Sequence, residues 1–312
     1  MSEVKGKIPK LRIVQGAIGL AILLALLYSV KGDIANLKKV NLEMFALSVL
    51  MYDLLNVILA YRVYYLLKKM GYNPRFSCVF LANLGGMVAG DVTPGRSGYV
   101  SMAKLLDRCG IPVSDGMAAV VAPQGIDFVV KGVGASLAII VLGFSRPWAG
   151  LIVVAVGGVI LAFMWHEKPL EFLKSVTPSF AFRVMDRFGL TDKIGNILSN
   201  TVRSGIETRK YAVQILALCL LGWVIVGLQW FFVGKACDVI FPFYVYFLLQ
   251  PLLSALTFVP ITPAGLGVME TGTVLVLYAL GINPAKATVF AIMIRLSYIC
   301  ADLPGVFAWL KS

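Results

Sequence analysis

The sequence predicts an all-α fold: a polytopic integral membrane protein with about six transmembrane helices plus two re-entrant broken-helix pairs in inverted-topology repeats. Three observations predict it. Hydrophobic residues make up 59% of the 312 positions and charged residues only 14%, against roughly 45–50% and about 25% in soluble domains. The apolar residues run in stretches close to the ~20 residues that a helix needs to cross the hydrocarbon layer. Two of those stretches are broken by Pro and Gly. A soluble fold of this composition would expose large apolar patches, and disordered chains are poor in apolar residues, so both classes are excluded. The net charge of +12 does not point to nucleic acid, because Lys and Arg are scattered among apolar runs and form no basic face.

The first helix is expected from Ile13 to Val30, after Lys5, Lys7, Lys10 and Arg12. No small-residue cleavage pattern follows Val30, so the segment reads as a retained helix, not a signal peptide. The second is expected from Leu42 to Leu67, the third from Val113 to Phe144 and the fourth from Trp148 to Trp165. The fifth runs from Tyr211 to Gly234 and the last from Pro284 to Leu310. Two apolar stretches depart from this scheme. Phe76–Leu106 is interrupted by Thr93-Pro94-Gly95-Arg96-Ser97-Gly98, and Phe243–Leu280 by Pro260-Ile261-Thr262-Pro263-Ala264-Gly265-Leu266-Gly267. Pro removes a backbone donor and Gly loosens the chain. Non-helical backbone at membrane depth survives only inside protein or beside a polar cavity. Both stretches are therefore expected to enter and leave the membrane on one side, the alternative being two full helices around a surface loop.

The long hydrophilic segment His166–Lys210 holds eight Lys or Arg and five Asp or Glu, interleaved with Phe172, Phe180, Phe182 and Phe188. That pattern suits amphipathic helices lying on a membrane surface, or a solvated linker. Basic residues collect in cytoplasmic loops. With the N-terminus inside, Lys68, Lys69, Arg75, Arg108, the His166–Lys210 segment and Lys311 all fall inside. Lys31, Lys38, Lys39, Arg146, Lys235 and Lys286 fall outside. The expectation is a multi-pass protein of the cytoplasmic membrane with both termini cytoplasmic.

The two breaks are similar. Thr93-Pro94-Gly95-Arg96-Ser97-Gly98 aligns with Thr262-Pro263-Ala264-Gly265-Leu266-Gly267. Gly110-Ile111-Pro112 aligns with Gly281-Ile282-Asn283-Pro284 after one insertion. The organisation expected is one membrane domain over 1–312: an N-terminal helix (1–41), a first repeat (42–144), the fourth helix with the basic segment (145–210), and a second repeat (211–312). Inverted repeats with substrate between broken helices are a construction of secondary transporters.

Ionisable residues inside a membrane usually face a cavity or a partner. Asp53 and Arg62 lie in the second helix, Asp91 and Arg96 flank the first break, and Asp127 and Lys131 share one face of the third helix. Arg295 and Asp302 share a face of the last. Asp127 with Lys131 reads equally as a structural ion pair. Arg96 lies in a Gly-rich break next to free backbone N–H groups, a ready site for a phosphate. Glu270, after the second break, occupies a helix N-terminus where a carboxylate is favoured; as a functional residue it binds a cationic group or carries a proton. The substrate-binding residues expected are Asp91, Thr93, Gly95, Arg96, Gly98, Asp127, Lys131, Thr262, Gly265, Gly267, Glu270 and Arg295. Cys78, Cys109, Cys219, Cys237 and Cys300 form no C-x-x-C, and His166 is the one histidine. They are read as small membrane-buried residues. No metal site, cofactor or catalytic motif is expected.

The stretch Gly90-Asp91-Val92-Thr93-Pro94-Gly95-Arg96-Ser97-Gly98 resembles the P-G-R-x-G element of the flippase-like membrane region of lysylphosphatidylglycerol synthases. Pro260-Ile261-Thr262-Pro263-Ala264-Gly265-Leu266-Gly267-Val268-Met269-Glu270 is similar to that family's P-x-x-P-G-G-L-G-x-x-E element, and Arg295 stands where the family places an Arg in its closing helix. The resemblance covers nearly the whole chain. Three positions depart from it. Tyr99 stands where many members have Glu, Ala264 replaces a Gly, and Gln124-Gly125 replaces a Glu-Arg pair. Members that make aminoacyl lipids carry a separate soluble synthase domain, for which no segment here is long enough. The resemblance thus implies a stand-alone lipid flippase or transporter, not an enzyme. Its cargo would be a phosphate-bearing lipid: a phospholipid, an aminoacyl-phospholipid or a polyprenyl phosphate. The partner expected is a membrane lipid with an anionic head group, with no nucleic acid, and a second copy of the chain is admitted. The competing readings are a membrane enzyme or accessory subunit of polyprenyl-phosphate sugar or aminoacyl-lipid synthesis, and a transporter of a small anion.

Overall fold

The computed structural model describes residues 40–144, 148–166, 191–258 and 261–310. The first expected helix and residues 167–190 of the hydrophilic segment lie outside the described residues. The rest is all-α, and the chain is a multi-pass membrane protein. Four helical stretches are long and apolar enough to cross a membrane: Leu42–Lys69, Val113–Val141, Ser199–Ala236 and Pro284–Leu310. Ala149–Trp165 is apolar but shorter, at 17 residues.

Helix α1 (Leu42–Lys69) starts where the Asn41 side chain accepts the Met44 N–H at 3.1 Å. It ends where Gly71 takes φ 93°. Helix α2 (Phe76–Asp91) spans only 16 residues, about 24 Å at 1.5 Å per residue, short of the ~30 Å hydrocarbon thickness. A 3₁₀ turn at Ser97–Ser101 and α3 (Met102–Asp107) lead the chain back along α2. A Cβ built at Gly98 would stand 2.1 Å from the Ala89 carbonyl oxygen, so only glycine lets the returning strand of this hairpin pass so close. Next come α4 (Val113–Val141), α5 (Ala149–Trp165) and α6 (Thr191–Thr208). The second half repeats the order: α7 (Ala212–Ala236), α8 (Phe243–Ser254), a break, α9 (Val268–Ala279) and α10 (Pro284–Asp302), closed by α11 (Val306–Leu310). Pro284 at the first turn and the Asn283 side chain, which accepts the Ala285 N–H at 2.8 Å, start α10.

Helices α1 and α7 lie antiparallel. The Asn41 N–H donates to the Ala236 carbonyl at 2.9 Å at one end, and the Tyr65 and Tyr211 rings meet edge-on at the other. The first hairpin opens at the Tyr65 end, where Phe76 meets Tyr64. The second opens at the Asn41 end, where Phe243 meets Phe231 and Lys286 pairs with Asp238. Their tips touch. Pro94 and Pro263 form an isolated antiparallel bridge, and the Ala264 N–H donates to the Thr93 carbonyl at 3.0 Å. Polar groups are gathered inside, while Leu151, Ile152, Val156, Leu220, Leu221 and Val224 face outward from α5 and α7, as lipid requires.

The cysteine expectation needs one correction. Cys78 and Cys109 form a disulfide that closes the mouth of the first hairpin. They come together because α2 and α3 fold back on each other, a pairing with no spacing signal in the sequence. Cys219 and Cys237 are buried free thiols, and Cys300 is exposed.

Candidate functional site

The two breaks share a backbone design. Gly95 and Arg96 take φ 60° and 54°, and the aligned Ala264 and Gly265 take 44° and 67°. The turn hydrogen bonds match as well. Arg96 to Thr93, Ser97 to Pro94 and Tyr99 to Arg96 correspond to Gly265 to Thr262, Leu266 to Pro263 and Val268 to Gly265. Each break is also tied by its threonine. Thr93 Oγ1 accepts the Gly98 N–H at 2.6 Å, and Thr262 Oγ1 donates to the Leu266 carbonyl at 2.8 Å. Thr93, Gly95, Gly98, Thr262, Gly265 and Gly267 thus shape the tips by their backbone.

Next to the first tip lies a cavity of about 100 Å³ between α1, α4, α7 and α8. Its charged wall is made of Arg62, Arg96, Asp127 and Lys131, with Tyr52, Tyr99, Gln124, Gln250 and Tyr298 as polar neighbours. Leu55, Ile58, Leu59, Leu218 and Val226 supply apolar wall. Asp127 stands between two cations, at 2.7 Å from Lys131 Nζ and 4.0 Å from Arg62. Lys131 also lies over the Phe258 ring at 5.3 Å. Arg62 is 1% exposed. Its guanidinium donates to Cys219 Sγ and to Gln124 Oε1, both at 3.2 Å, and its buried Nε has no partner. A guanidinium has five donors, so Arg62 keeps capacity for an anion. Arg96 donates to Asp91 at 2.6 Å.

The remaining sequence-predicted residues form a second cluster. Glu270 Oε1 accepts from Arg295 Nε at 2.6 Å, and Oε2 accepts the Gly267 N–H at 2.7 Å in a capping arrangement. Arg295 also donates to the Ala264 carbonyl at 3.3 Å. This pair clamps the second break and does not line the cavity. Asp302, expected on the Arg295 face, turns elsewhere and accepts from Asn56 Nδ2 at 2.8 Å.

Sequence reasoning placed Arg62 in the membrane but left it out of the site, and passed over Gln250, Tyr52 and Tyr298. The available signal for Arg62 was an isolated cation in an apolar helix. Two of the three departures from the family pattern also fall on this wall. Tyr99 donates to Asn83 at 3.1 Å, and Gln124 accepts from Arg62. Gly125 packs on Leu161 of α5, where a Cβ would stand 2.7 Å away. The family model described as Lysylphosphatidylglycerol synthase TM region matches residues 12–302. No curated protein matches the chain.

Proposed function

The chain belongs to the lysylphosphatidylglycerol synthase transmembrane-region family, and on that premise we propose that it is a lipid flippase for a phosphate-bearing lipid. The observation that carries the reading is the cavity wall: Arg62 and Lys131 face the single carboxylate of Asp127, and Arg96, paired with Asp91 behind it, completes the wall. A wall with excess positive charge inside a membrane protein favours an anionic group. The apolar residues beside it suit acyl or prenyl chains better than a small hydrophilic anion. With Tyr99 and Gln124 in place of two family carboxylates, Arg62 is less neutralised, which favours an anionic head group over a cationic aminoacyl one. The substrate phosphate is held by Arg62 and Arg96, while Asp127 and Lys131 tune the wall between them.

The two hairpins, opening at opposite ends and meeting at their tips, suit inverted-topology repeats that expose the cavity to each side in turn. The basic end of the bundle is assigned to the cytoplasm of the cell membrane. Translocation breaks no covalent bond, and the chain acts as a transporter, not an enzyme. Reconstitution tests this. Liposomes containing the purified chain are assayed for movement of labelled phospholipids and polyprenyl phosphates. Arg62→Ala and Arg96→Ala each slow the movement by about tenfold or more, because a hydrogen bond to a charged group contributes about 1.5–3 kcal/mol. Wild-type rates in both variants would remove the cavity from the mechanism, and no lipid movement by the wild-type chain would end the flippase reading.

A further inference from the structure

The cavity wall continues into a buried charge cluster that lipid binding alone does not use. Asp302, at the end of α10, is 1% exposed, and its Oδ2 has no hydrogen-bond partner. Its Oδ1 accepts from Asn56 Nδ2, and the Asn56 side-chain oxygen Oδ1 is also buried without a partner. Asp91 faces Asp302 from the first tip, and Asp91 in turn holds Arg96 at 2.6 Å. The other groups that face this cluster are Tyr52 from α1 and Tyr298 from α10, whose rings lie 4.5 Å apart. Two carboxyls thus share one guanidinium. With all three ionised the cluster carries one uncompensated negative charge away from water, which is costly. One proton neutralises it, and a protonated Oδ2 becomes a donor that the facing Asp91 carboxylate can accept.

We propose that Asp302 is a proton-binding site whose occupancy follows the occupancy of the neighbouring head-group cavity. Arg96 connects the two, because it forms part of the cavity wall and pairs with Asp91 on its other side. A phosphate that engages Arg96 takes the cation away from the carboxyls. The proton on Asp302 then limits the negative charge left in the cluster, so negative charge entering the cavity and a proton on Asp302 travel together. The sense is symport: a proton gradient drives the anionic lipid in the direction that the protons run. The coupling half of this inference rests on the flippase reading, whereas the proton site stands without it.

Infrared difference spectroscopy of the full chain in liposomes reads the site directly. The wild-type protein shows the carbonyl band of a protonated buried carboxyl at neutral pH, shifted in heavy water. The band is lost in Asp302→Asn. It is also lost in Asp91→Asn, where Arg96 is left to Asp302 alone and holds it ionised; this variant serves if Asp302→Asn fails to fold. A wild-type spectrum without the band, or a band that survives in both variants, overturns the proton site. A pH gradient applied to the same liposomes speeds lipid movement by wild-type protein and not by Asp302→Asn. A gradient without effect on the wild-type rate overturns the coupling. Band without lipid movement leaves the proton site standing and defeats the flippase reading; lipid movement without band does the reverse.

Discussion

Ala264 holds φ 44° at the second tip, a left-handed conformation that costs an L side chain about 1–2 kcal/mol. The sequence showed this position as an Ala where the related motif has Gly, and the structure gives the departure its physical meaning. Ala264→Gly is expected to raise stability by about 1 kcal/mol, read as a higher unfolding midpoint in detergent; a lower midpoint contradicts the strain argument. Outside the membrane-spanning segments, Tyr72 donates to Asp115, and this hydrogen bond, with burial and the carboxylate charge behind it, pushes the phenol up to about 12. The unfolded chain loses that proton nearer pH ~10. The stabilisation is therefore complete below about pH 10 and is lost as pH rises toward the folded value. A difference titration of the wild type against Asp115→Asn, followed by tyrosinate absorbance, should show one tyrosine moved to earlier titration in the variant. The cavity residues were less legible. Arg62 was visible as a cation in an apolar helix, and Tyr99 and Gln124 as departures from the family motifs, but Gln250, Tyr52 and Tyr298 gave no signal, because polar neutral residues occur in any membrane helix and only packing aims them at one space.

At the scale of elements, the broken hairpins were legible because Pro and Gly in an apolar stretch leave few other structures. The turn hydrogen bonds of the two tips fall at the positions that the two motifs align. The disulfide and the Glu270–Arg295 clamp were not legible, since each joins separate elements. The packing of α4 on α5 was also hidden. Gly125 and Gly132 meet Gly157 and Gly150 in antiparallel order, and a Cβ at Gly157 would stand 2.7 Å from the Gly125 carbonyl oxygen. Small residues let membrane helices approach this closely. Gly158, one position on, has open space around it. Gly157→Ala should therefore cost about 1–3 kcal/mol through overpacking, while Gly158→Ala leaves stability unchanged or slightly higher. Equal effects in unfolding assays would refute the close contact as the reason for the glycines.

For the whole molecule, the charge distribution orients the bundle. Lys68, Lys69, Arg75, Arg108, Arg209 and Lys210 gather at one end, and Lys235 and Lys286, with Asp238, at the other. The Cys78–Cys109 disulfide lies at the basic end, whereas disulfides persist mostly outside the cytosol, the intracellular proteins of hyperthermophiles excepted. The two rules pull apart, and labelling decides between them. With the basic end inside, an impermeant thiol reagent on intact cells should modify Asp238→Cys and spare Lys210→Cys; the opposite pattern reverses the orientation. By itself the sequence determined that the chain is an all-α membrane protein and, within the described residues, where its long helices run and where they break. Those properties follow from local composition, because apolar length and the backbone limits of Pro and Gly act within a few turns of chain. Only the tertiary structure decided that the two tips touch, that Arg62 and Arg96 share a cavity, and that Asp302 faces Asp91 while Arg295 closes on Glu270. Each of those partners is chosen across tens to hundreds of residues, by which helix face lies against which.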